Sequence, residues 1–331
     1  MTPPSPVSQS VASAAAVSRR PRRDANPLFS GACTHAHFER TAQHLLGQIV
    51  NSPSEAIVAV VGPSHVGKSS VARYVQSLLL THYKAEMTAD TSFVPFTHAT
   101  LVWQRGVGLD FKGLYQTLLR NASEPVNPSH KFTALKLRGQ LEAVAESRGI
   151  KVMFIDEGQQ FTDAASDESA LENLRAMKNL AVISNTRIVV CATYGILKRL
   201  GESPEIDART WVVHLPHYEA DPIKDGKVCG PWVRICEWFE ARLRGKLDVS
   251  LASQSEEIRL QCGGRVGILA RWLTRAAAIG AKDQARALTV TAPVQSHRKR
   301  WHEEVREGNE LLAHYSADLK SGMFDPRHAK F

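Results

Sequence analysis

The chain has little of what marks secreted, membrane-spanning or zinc-binding proteins. Its 331 residues include five cysteines, which are scattered and form no C-x-x-C pair. That pattern argues against a disulfide framework and fits a reducing compartment. Cys33, His35 and His37 lie close together, but no second group of ligands follows them at the spacing of a zinc site. No apolar run approaches the roughly 18 residues that a membrane span needs, so we expect a cytoplasmic protein without a membrane partner.

Positive charge is in excess. Lys and Arg total 41 against 33 for Asp and Glu, which gives a formal net charge of +8 at pH 7. This balance favours a polyanionic partner such as DNA or RNA. Residues 1–27 are rich in Pro, Ser, Ala and Arg and contain almost no large apolar side chains. We therefore expect a disordered basic tail there.

From residue 28 the pattern predicts an α/β fold. Apolar segments typical of buried strands alternate with amphipathic helical segments, which indicates a parallel sheet flanked by helices. Beyond Tyr218 the strand signal fades, and the segments to about residue 290 predict a small all-helical unit. Residues 291–331 predict a charged, partner-binding tail that includes a helix. The five predicted strands lie within "EAIVAVVG", "TSFVPFTHATLVW", "KVMFID", "TRIVVCAT" and "TWVVHLP".

Residues 62–69, "GPSHVGKS", match the phosphate-loop pattern G-x-x-x-x-G-K-[ST] at every fixed position. They follow a predicted buried strand and open a predicted helix, as a phosphate site at a helix N-terminus requires. We expect Lys68 to reach the β- and γ-phosphates of ATP, and the Ser69 hydroxyl to bind Mg²⁺. The residues predicted to hold the nucleotide in this segment are Gly62, Pro63, Ser64, His65, Val66, Gly67, Lys68, Ser69 and Ser70.

A second acidic motif completes the predicted site. Asp156 ends the strand "KVMFID" and is placed to hold Mg²⁺ through water, while Glu157 follows directly and could polarise an attacking water. This pair favours an ATP-hydrolysing enzyme over a small-molecule kinase.

Two further residues can each be interpreted in two ways. Thr193 follows the strand "TRIVVCA" and could hydrogen-bond the attacking water or merely cap the turn before Gly195. Arg209 precedes the last predicted strand and is a poor candidate for its own site. It could reach a neighbouring subunit's γ-phosphate as an arginine finger, or it could be a solvated surface residue paired with Glu205 or Asp207.

Together these segments resemble the AAA+ ATPases, and most of all the TnsC/TniB group of transposition regulators related to MuB. The resemblance covers roughly residues 27–291. It is carried by "GPSHVGKSS", "FIDEGQQF", "VVCATYGIL", "DARTWVVHLPHY" and "CGGRVGILARWLTRAAAIGA".

The resemblance implies a bacterial, cytoplasmic AAA+ protein with a nucleotide-binding α/β domain over residues 28–218 and a helical lid over residues 219–290. In that group, ATP drives assembly of a ring or helical filament on double-stranded DNA. The assembly recruits and activates transposase subunits, and hydrolysis disassembles it. A target-selection protein, either DNA-binding or RNA-guided, is a further implied partner. In the lid, either Arg265 or Arg271 could face the nucleotide, or neither.

The expected DNA contact follows the second predicted strand, where Arg105 and Lys112 could track phosphates without reading bases. A solvated face is the alternative for this charged segment. Other functions also remain open: a helicase or initiator loader, another DNA-associated signalling ATPase, a small-molecule kinase, or a signalling switch or scaffold ATPase that binds no nucleic acid.

Overall fold

We describe the protein from a computed structural model. The residues described are 31, 33–104, 108–124, 133–163, 166–224, 227–244, 250–279 and 284–319. The predicted N-terminal tail and Arg105 lie outside them.

The strands form one central sheet and two short ladders. Their bounds are β1 (Ile57–Val61), β2 (Phe96–Thr100), β3 (Trp103–Gln104), β4 (Gly108–Leu109), β5 (Val152–Asp156), β6 (Arg187–Ala192), β7 (Thr210–His214), β8 (Ile223–Lys224) and β9 (Lys227–Val228). The central sheet is parallel throughout and has the order β2-β5-β6-β1-β7. β3 pairs with β4 and β8 pairs with β9, both antiparallel.

The central strands are apolar because helices cover both faces of the sheet. Every residue of β1 is buried, and so are the first four of β5. Continuous apolar runs are typical of parallel strands that are covered on both sides. All five predicted strands are confirmed, and so is the predicted fold class, a P-loop AAA+ α/β sheet with a helical C-terminal region.

The helices surround this sheet and build the C-terminal region. They are α1 (Ala36–Asn51), α2 (Lys68–His82), α3 (Lys84–Ala89), α4 (Phe111–Asn121), α5 (Ala134–Ser147), α6 (Asp167–Ile183), α7 (Gly195–Gly201), α8 (Pro204–Asp207), α9 (Pro231–Leu243), α10 (Ser255–Cys262), α11 (Val266–Ile279), α12 (Gln284–Thr291) and α13 (Gln295–Leu319). A short 3₁₀ helix spans Gly158–Phe161. Among the described residues, none of these helices combines the length and apolar character of a membrane span.

The parallel register brings the predicted site residues to one edge of the sheet. Val61 at the end of β1 pairs with Ala192 at the end of β6, and β5 ends beside β6. The segments that follow these three strands therefore meet at the carboxyl edge of the sheet. Gly62 begins the segment after β1, and a Cβ there would lie 2.0 Å from the Leu215 carbonyl oxygen. Only glycine fits this position.

Helices α9 to α12 form a separate apolar core, which we call the lid. Its buried residues include Trp232, Phe239 and Leu273. Tyr218 joins this core, and its hydroxyl lies 3.0 Å from Nε2 of His35, the residue that caps α1. The predicted helical unit thus packs directly against the start of the α/β domain.

Helix α13 belongs to the segment predicted as a charged tail, and it packs against the rest of the molecule. Leu311 and Leu312 contact the core of the α/β domain. Gly308 lies so close to Tyr194 that an added Cβ would be 2.2 Å from the tyrosine ring. The helical prediction for this segment agrees with the structure, whereas its packing was not foreseen.

Candidate functional site

The phosphate loop joins β1 to α2 in a conformation that suits an anion. His65 and Gly67 have positive φ angles of 65° and 109°. Gly67 is the N-cap of α2, and no side-chain oxygen caps the helix there. The N-terminal N–H groups of a helix that lacks a side-chain cap are natural partners for a phosphate. The loop therefore has the geometry that its sequence pattern predicts.

Lys68 is folded against its own loop. Its ammonium donates to the carbonyl oxygens of Gly62 at 2.9 Å and Pro63 at 2.7 Å. Burial lowers the pKa of Lys68 to about 8, and the nearby carboxylates of Asp156, Glu157 and Glu304 only partly oppose this effect. The group thus loses its proton not far above neutral pH, and a bound phosphate would favour the charged form.

A cavity of about 540 Å³ opens between the phosphate loop, the carboxyl edge of the sheet and the lid. Two groups stand out among its lining residues. The polar end contains residues 64–70 with Asp156, Glu157 and Thr193. The aromatic end contains Phe38, Tyr218, Ile235, Trp238 and Phe239. A molecule with a charged chain at one end and a flat ring system at the other fits this division.

Asp156 ends β5, and Glu157 begins the turn that follows it. The Glu157 N–H donates to Asp156 Oδ1 at 2.9 Å, and Glu157 has a positive φ of 58° with its side chain exposed. A Cβ on Gly158 would lie 2.1 Å from the Val190 side chain, so the turn packs tightly on β6. This packing holds Glu157 in an uncommon backbone conformation beside the cavity.

The residues predicted to bind Mg²⁺ fit that ion. Ser69 and Asp156 both line the cavity. In the part of the chain that the structure describes, no cluster of three or more His, Cys, Asp or Glu side chains could hold a metal on its own. Mg²⁺ commonly uses one or two protein oxygens and completes its shell with water and substrate phosphates. One hydroxyl and one carboxylate are such a donor set.

Thr193 follows β6, which lies between β5 and β1 in the sheet. It lines the cavity, as expected for a residue near the γ-phosphate. Its backbone carbonyl also accepts from the Ile196 N–H at 3.4 Å, at the start of α7. Both interpretations of Thr193 therefore remain compatible with its position.

Both candidate lid arginines contact the phosphate loop. Arg265 is fully buried, and its Nη1 donates to Ser64 Oγ at 2.7 Å and to Glu304 Oε2 at 2.6 Å. Arg271 Nη1 lies 3.3 Å from His65 Nε2. Burial lowers the pKa of His65 to about 4, and the charge of Arg271 contributes to this shift. Neither guanidinium is among the groups that line the cavity, so their roles remain a prediction.

Arg209 lies away from the cavity of its own chain. It precedes β7 at the amino edge of the sheet, where its backbone carbonyl accepts from Ile57 N–H at 2.8 Å. Its guanidinium forms an ion pair with Glu55 and is 40% exposed. Glu55 thus takes the place of Glu205 and Asp207 as its partner in this chain. Lys112 lies in the first turn of α4 and is partly exposed.

The sequence did not reveal the aromatic end or the Glu304 contact. In the sequence, Phe38 and Phe239 look like ordinary core residues of amphipathic helices. In the structure, the guanidinium of Arg242 stacks on the Trp238 ring, with its carbon 3.4 Å from the ring centroid. Glu304 bonds to Ser64 across 240 residues of sequence. No local pattern marks either feature.

Known proteins agree with this architecture. Residues 52–200 match the family model of the AAA domain. The matched segment contains the phosphate loop, Asp156, Glu157 and Thr193. Together with the fold, this match supports a P-loop AAA+ ATPase. No curated protein sequence matches the chain.

Solved structures show the same fold at low sequence identity. The ORC2 protein of Aeropyrum pernix, solved with ADPNP and ADP, has a TM-score of 0.54 and 14% identity, over 78% of this chain and 68% of that one. Its ADP form has a TM-score of 0.55 and 13% identity, over 78% and 69%. A Walker-type ATPase of Pyrococcus abyssi has a TM-score of 0.51 and 19% identity, over 87% and 76%. At these identities the likenesses show a shared fold.

Proposed function

We propose that this protein is an ATP-dependent regulator of DNA transposition of the TnsC/TniB kind. In this proposal it binds ATP, assembles on duplex DNA, recruits and activates a transposase, and disassembles when ATP is hydrolysed. One observation supports the ATP chemistry of this proposal: the phosphate loop, Asp156, Glu157 and Thr193 all line the same cavity. The transposition role itself rests on the sequence resemblance.

The polar end of the cavity supplies the groups that hydrolysis needs. The loop N–H groups and Lys68 bind the phosphates, and Ser69 and Asp156 are the residues that would hold Mg²⁺, which neutralises phosphate charge when bound. Glu157 is exposed beside these groups and orients the attacking water, with Thr193 as a second hydrogen-bonding group. The aromatic end receives the adenine ring, because apolar and aromatic surfaces suit a flat base.

Arg209 supports the proposed homo-oligomer, a ring or a helical filament. A surface arginine at the amino edge of its own sheet cannot assist its own nucleotide. Its guanidinium is 40% exposed and paired only at the surface with Glu55, and such pairs contribute little stability. Arg209 is therefore available to exchange Glu55 for the γ-phosphate of a neighbouring subunit.

The proposed DNA contact involves Arg105, which lies outside the described residues, and Lys112, in the first turn of α4. The net charge of +8 supports a polyanionic partner. Contacts of this type neutralise phosphates and release counterions, so binding should be steeply salt-dependent and tolerant of sequence. A DNA-binding or RNA-guided protein would then select the target.

A second candidate is an initiator or helicase loader. The observation in its favour is the fold similarity to the ORC2 protein of Aeropyrum pernix. A preference for single-stranded DNA or a replication partner would favour this candidate over the transposition regulator.

The experiment measures the ATPase rate with and without duplex DNA at about 50 mM salt, where phosphate contacts are strong. Negative-stain images with a non-hydrolysable ATP analogue are taken in parallel. We expect rings or filaments on duplex DNA that disappear in Lys68→Ala. In Arg209→Ala we expect nucleotide binding to persist and DNA-stimulated hydrolysis to fall, whereas the exposed Arg175→Ala should behave as wild type. A monomer indifferent to DNA would contradict the proposal.

A further inference from the structure

Helix α13 occupies an unexpected place beside the phosphate loop. We propose that it is a nucleotide-sensing latch, in which the Glu304 carboxylate and the γ-phosphate of ATP compete for the same loop. ATP would release α13, whereas ADP would leave it docked. This inference rests on the proposed ATP site and is independent of the role in transposition.

Glu304 binds the loop as an anion would. Its Oε1 accepts from the backbone N–H of Ser64 at 2.8 Å, and its Oε2 accepts from the Ser64 hydroxyl at 3.2 Å. Backbone N–H groups of this loop are the donors that a phosphate-binding loop offers to its ligand. The carboxylate is thus a negative group held on phosphate-binding machinery.

Charge makes this arrangement sensitive to the number of phosphates. Glu304 is close enough to Lys68 to act on its pKa. A triphosphate brings more negative charge toward Ser64 than a diphosphate, and like charges a few ångströms apart repel strongly where water is partly excluded. The γ-phosphate therefore weakens the Glu304 contact, and the Glu304 contact weakens the binding of ATP more than that of ADP.

Arg265 ties the same helix to the lid. Its Nη1 bonds Glu304 and Ser64, and its Nη2 donates to the Trp301 carbonyl oxygen at 3.1 Å. A Cβ on Gly263 would lie 3.0 Å from the Trp301 ring, so α13 also packs closely on the turn between α10 and α11 of the lid. When Glu304 leaves, the fully buried Arg265 loses its carboxylate and keeps Ser64 of the phosphate loop as a partner.

The rest of the docking surface is small enough to release. Much of the described part of α13 is charged and exposed, and its apolar contacts include Leu311 and Leu312 on the α/β core and the Trp301 ring beside Gly263. Gly308 against Tyr194 fixes the depth at which the helix docks. The basic run 298–300, Arg-Lys-Arg, is already largely exposed on the docked helix, so release would change its position and not its exposure. The latch thus gives the predicted partner-binding segment a nucleotide-controlled position.

The test measures the affinity of fluorescent ADP and of a fluorescent non-hydrolysable ATP analogue for wild type, Glu304→Gln and the exposed neighbour Glu303→Gln. We expect Glu304→Gln to bind the ATP analogue about tenfold more tightly and ADP at most about twofold more tightly. Glu303→Gln should match wild type. An unchanged or lower ATP-to-ADP preference in Glu304→Gln would overturn the latch and make Glu304 a structural brace. Wild type that binds neither nucleotide would instead overturn the nucleotide site, and the latch with it.

A second variant tests the latch without changing the charge of Glu304 or of Arg265. Gly308→Ala forces a methyl group into the buried Tyr194 ring and should undock α13 sterically. Hydrogen exchange of residues 297–313 is measured for wild type alone, with ADP and with the ATP analogue, and for Gly308→Ala alone. We expect faster exchange with the ATP analogue and in Gly308→Ala, but not with ADP. Equal protection of this helix with either nucleotide would overturn the proposal even if Glu304→Gln failed to fold.

Discussion

The two ends of the cavity are built in different ways. The polar end uses backbone N–H groups of one continuous loop and short turns after β5 and β6, all fixed by the register of a buried sheet. The aromatic end uses side chains from separate elements: Phe38 from α1, Tyr218 from the segment after β7, and Trp238 and Phe239 from α9. A buried sheet edge is rigid, whereas an end assembled between a domain and its lid depends on how the lid packs.

This difference assigns different tasks to the two ends. Groups fixed to within a few tenths of an ångström suit the chemistry of phosphate transfer, because misplacement there costs rate. An aromatic surface needs only to cover a flat base, so it contributes affinity and selectivity for the nucleoside. Changes at the polar end should therefore act on all phosphate ligands or on turnover, and changes at the aromatic end only on ligands that carry a base.

The largest expected effect is on turnover. Glu157→Gln removes the charge that orients water and should lower ATP hydrolysis at least about 100-fold, within the usual range for a lost general base. ATP affinity should stay within about threefold, because Glu157 does not bind phosphate. Steady-state phosphate release and equilibrium binding measure the two effects. Glu168→Gln, an exposed residue of α6, is the control, and a Glu157→Gln enzyme that keeps wild-type turnover would remove Glu157 from the mechanism.

The aromatic end is tested with a ligand that has no base. Trp238→Ala should weaken ATP binding by about tenfold, as expected for the loss of one base–aromatic contact. Inorganic tripolyphosphate, measured by competition, should bind as it does to wild type. An equal loss of affinity for both ligands would mean that Trp238 shapes the whole cavity. It would contradict the proposed division of labour between the two ends.

The polar end should respond to pH. Because the pKa of Lys68 is lowered to about 8, the ammonium is lost as the pH rises through that value, and its attraction to phosphate is lost with it. We expect ATP affinity to fall about five- to tenfold between pH 7 and pH 9, with proton uptake on binding at the upper end. Calorimetry in two buffers of different ionisation enthalpy measures both. Affinity that is constant over this range would place the Lys68 pKa well above 9.

A smaller effect is expected where the aromatic end joins the lid. His35 Nδ1 accepts from the Phe38 N–H at 3.2 Å, and its Nε2 bonds Tyr218. His35→Ala removes a helix cap and a buried hydrogen bond and should lower Tm by about 3 to 6 °C. The exposed His82→Ala serves as control in the same thermal melts. A Tm equal to that of wild type would show that the cap and the Tyr218 contact contribute nothing to stability.

The contrast between the ends also explains what the sequence could predict. The phosphate loop, Asp156 and Thr193 each follow a strongly apolar strand, so short-range patterns located them and the parallel register brought them together. Phe38 and Trp238 carry no such signal, because an aromatic residue on an amphipathic helix is usually core. Their role depends on the packing of the lid, which no local pattern encodes.

The lid arginines and Glu304 show the same limit. Arg265 lies directly before α11 and Arg271 lies within it, and the sequence could not say whether either one faces the nucleotide. In the structure both contact the phosphate loop, through Ser64 and His65 respectively. Glu304 was one charge among many in a predicted tail, and its bond to Ser64 spans 240 residues. Long-range ion pairs of this kind become visible only when the tertiary packing is known.

The central claim is that ATP occupies the cavity between the sheet edge and the lid. The most direct measurement is calorimetric titration of wild type and Lys68→Ala with a non-hydrolysable ATP analogue and Mg²⁺. The account predicts one nucleotide per chain for wild type and an affinity loss of at least about 100-fold in Lys68→Ala, since an ammonium bonded to phosphate makes a strong charge-assisted contact. Equal affinity in the two proteins, or no binding to wild type, would contradict it.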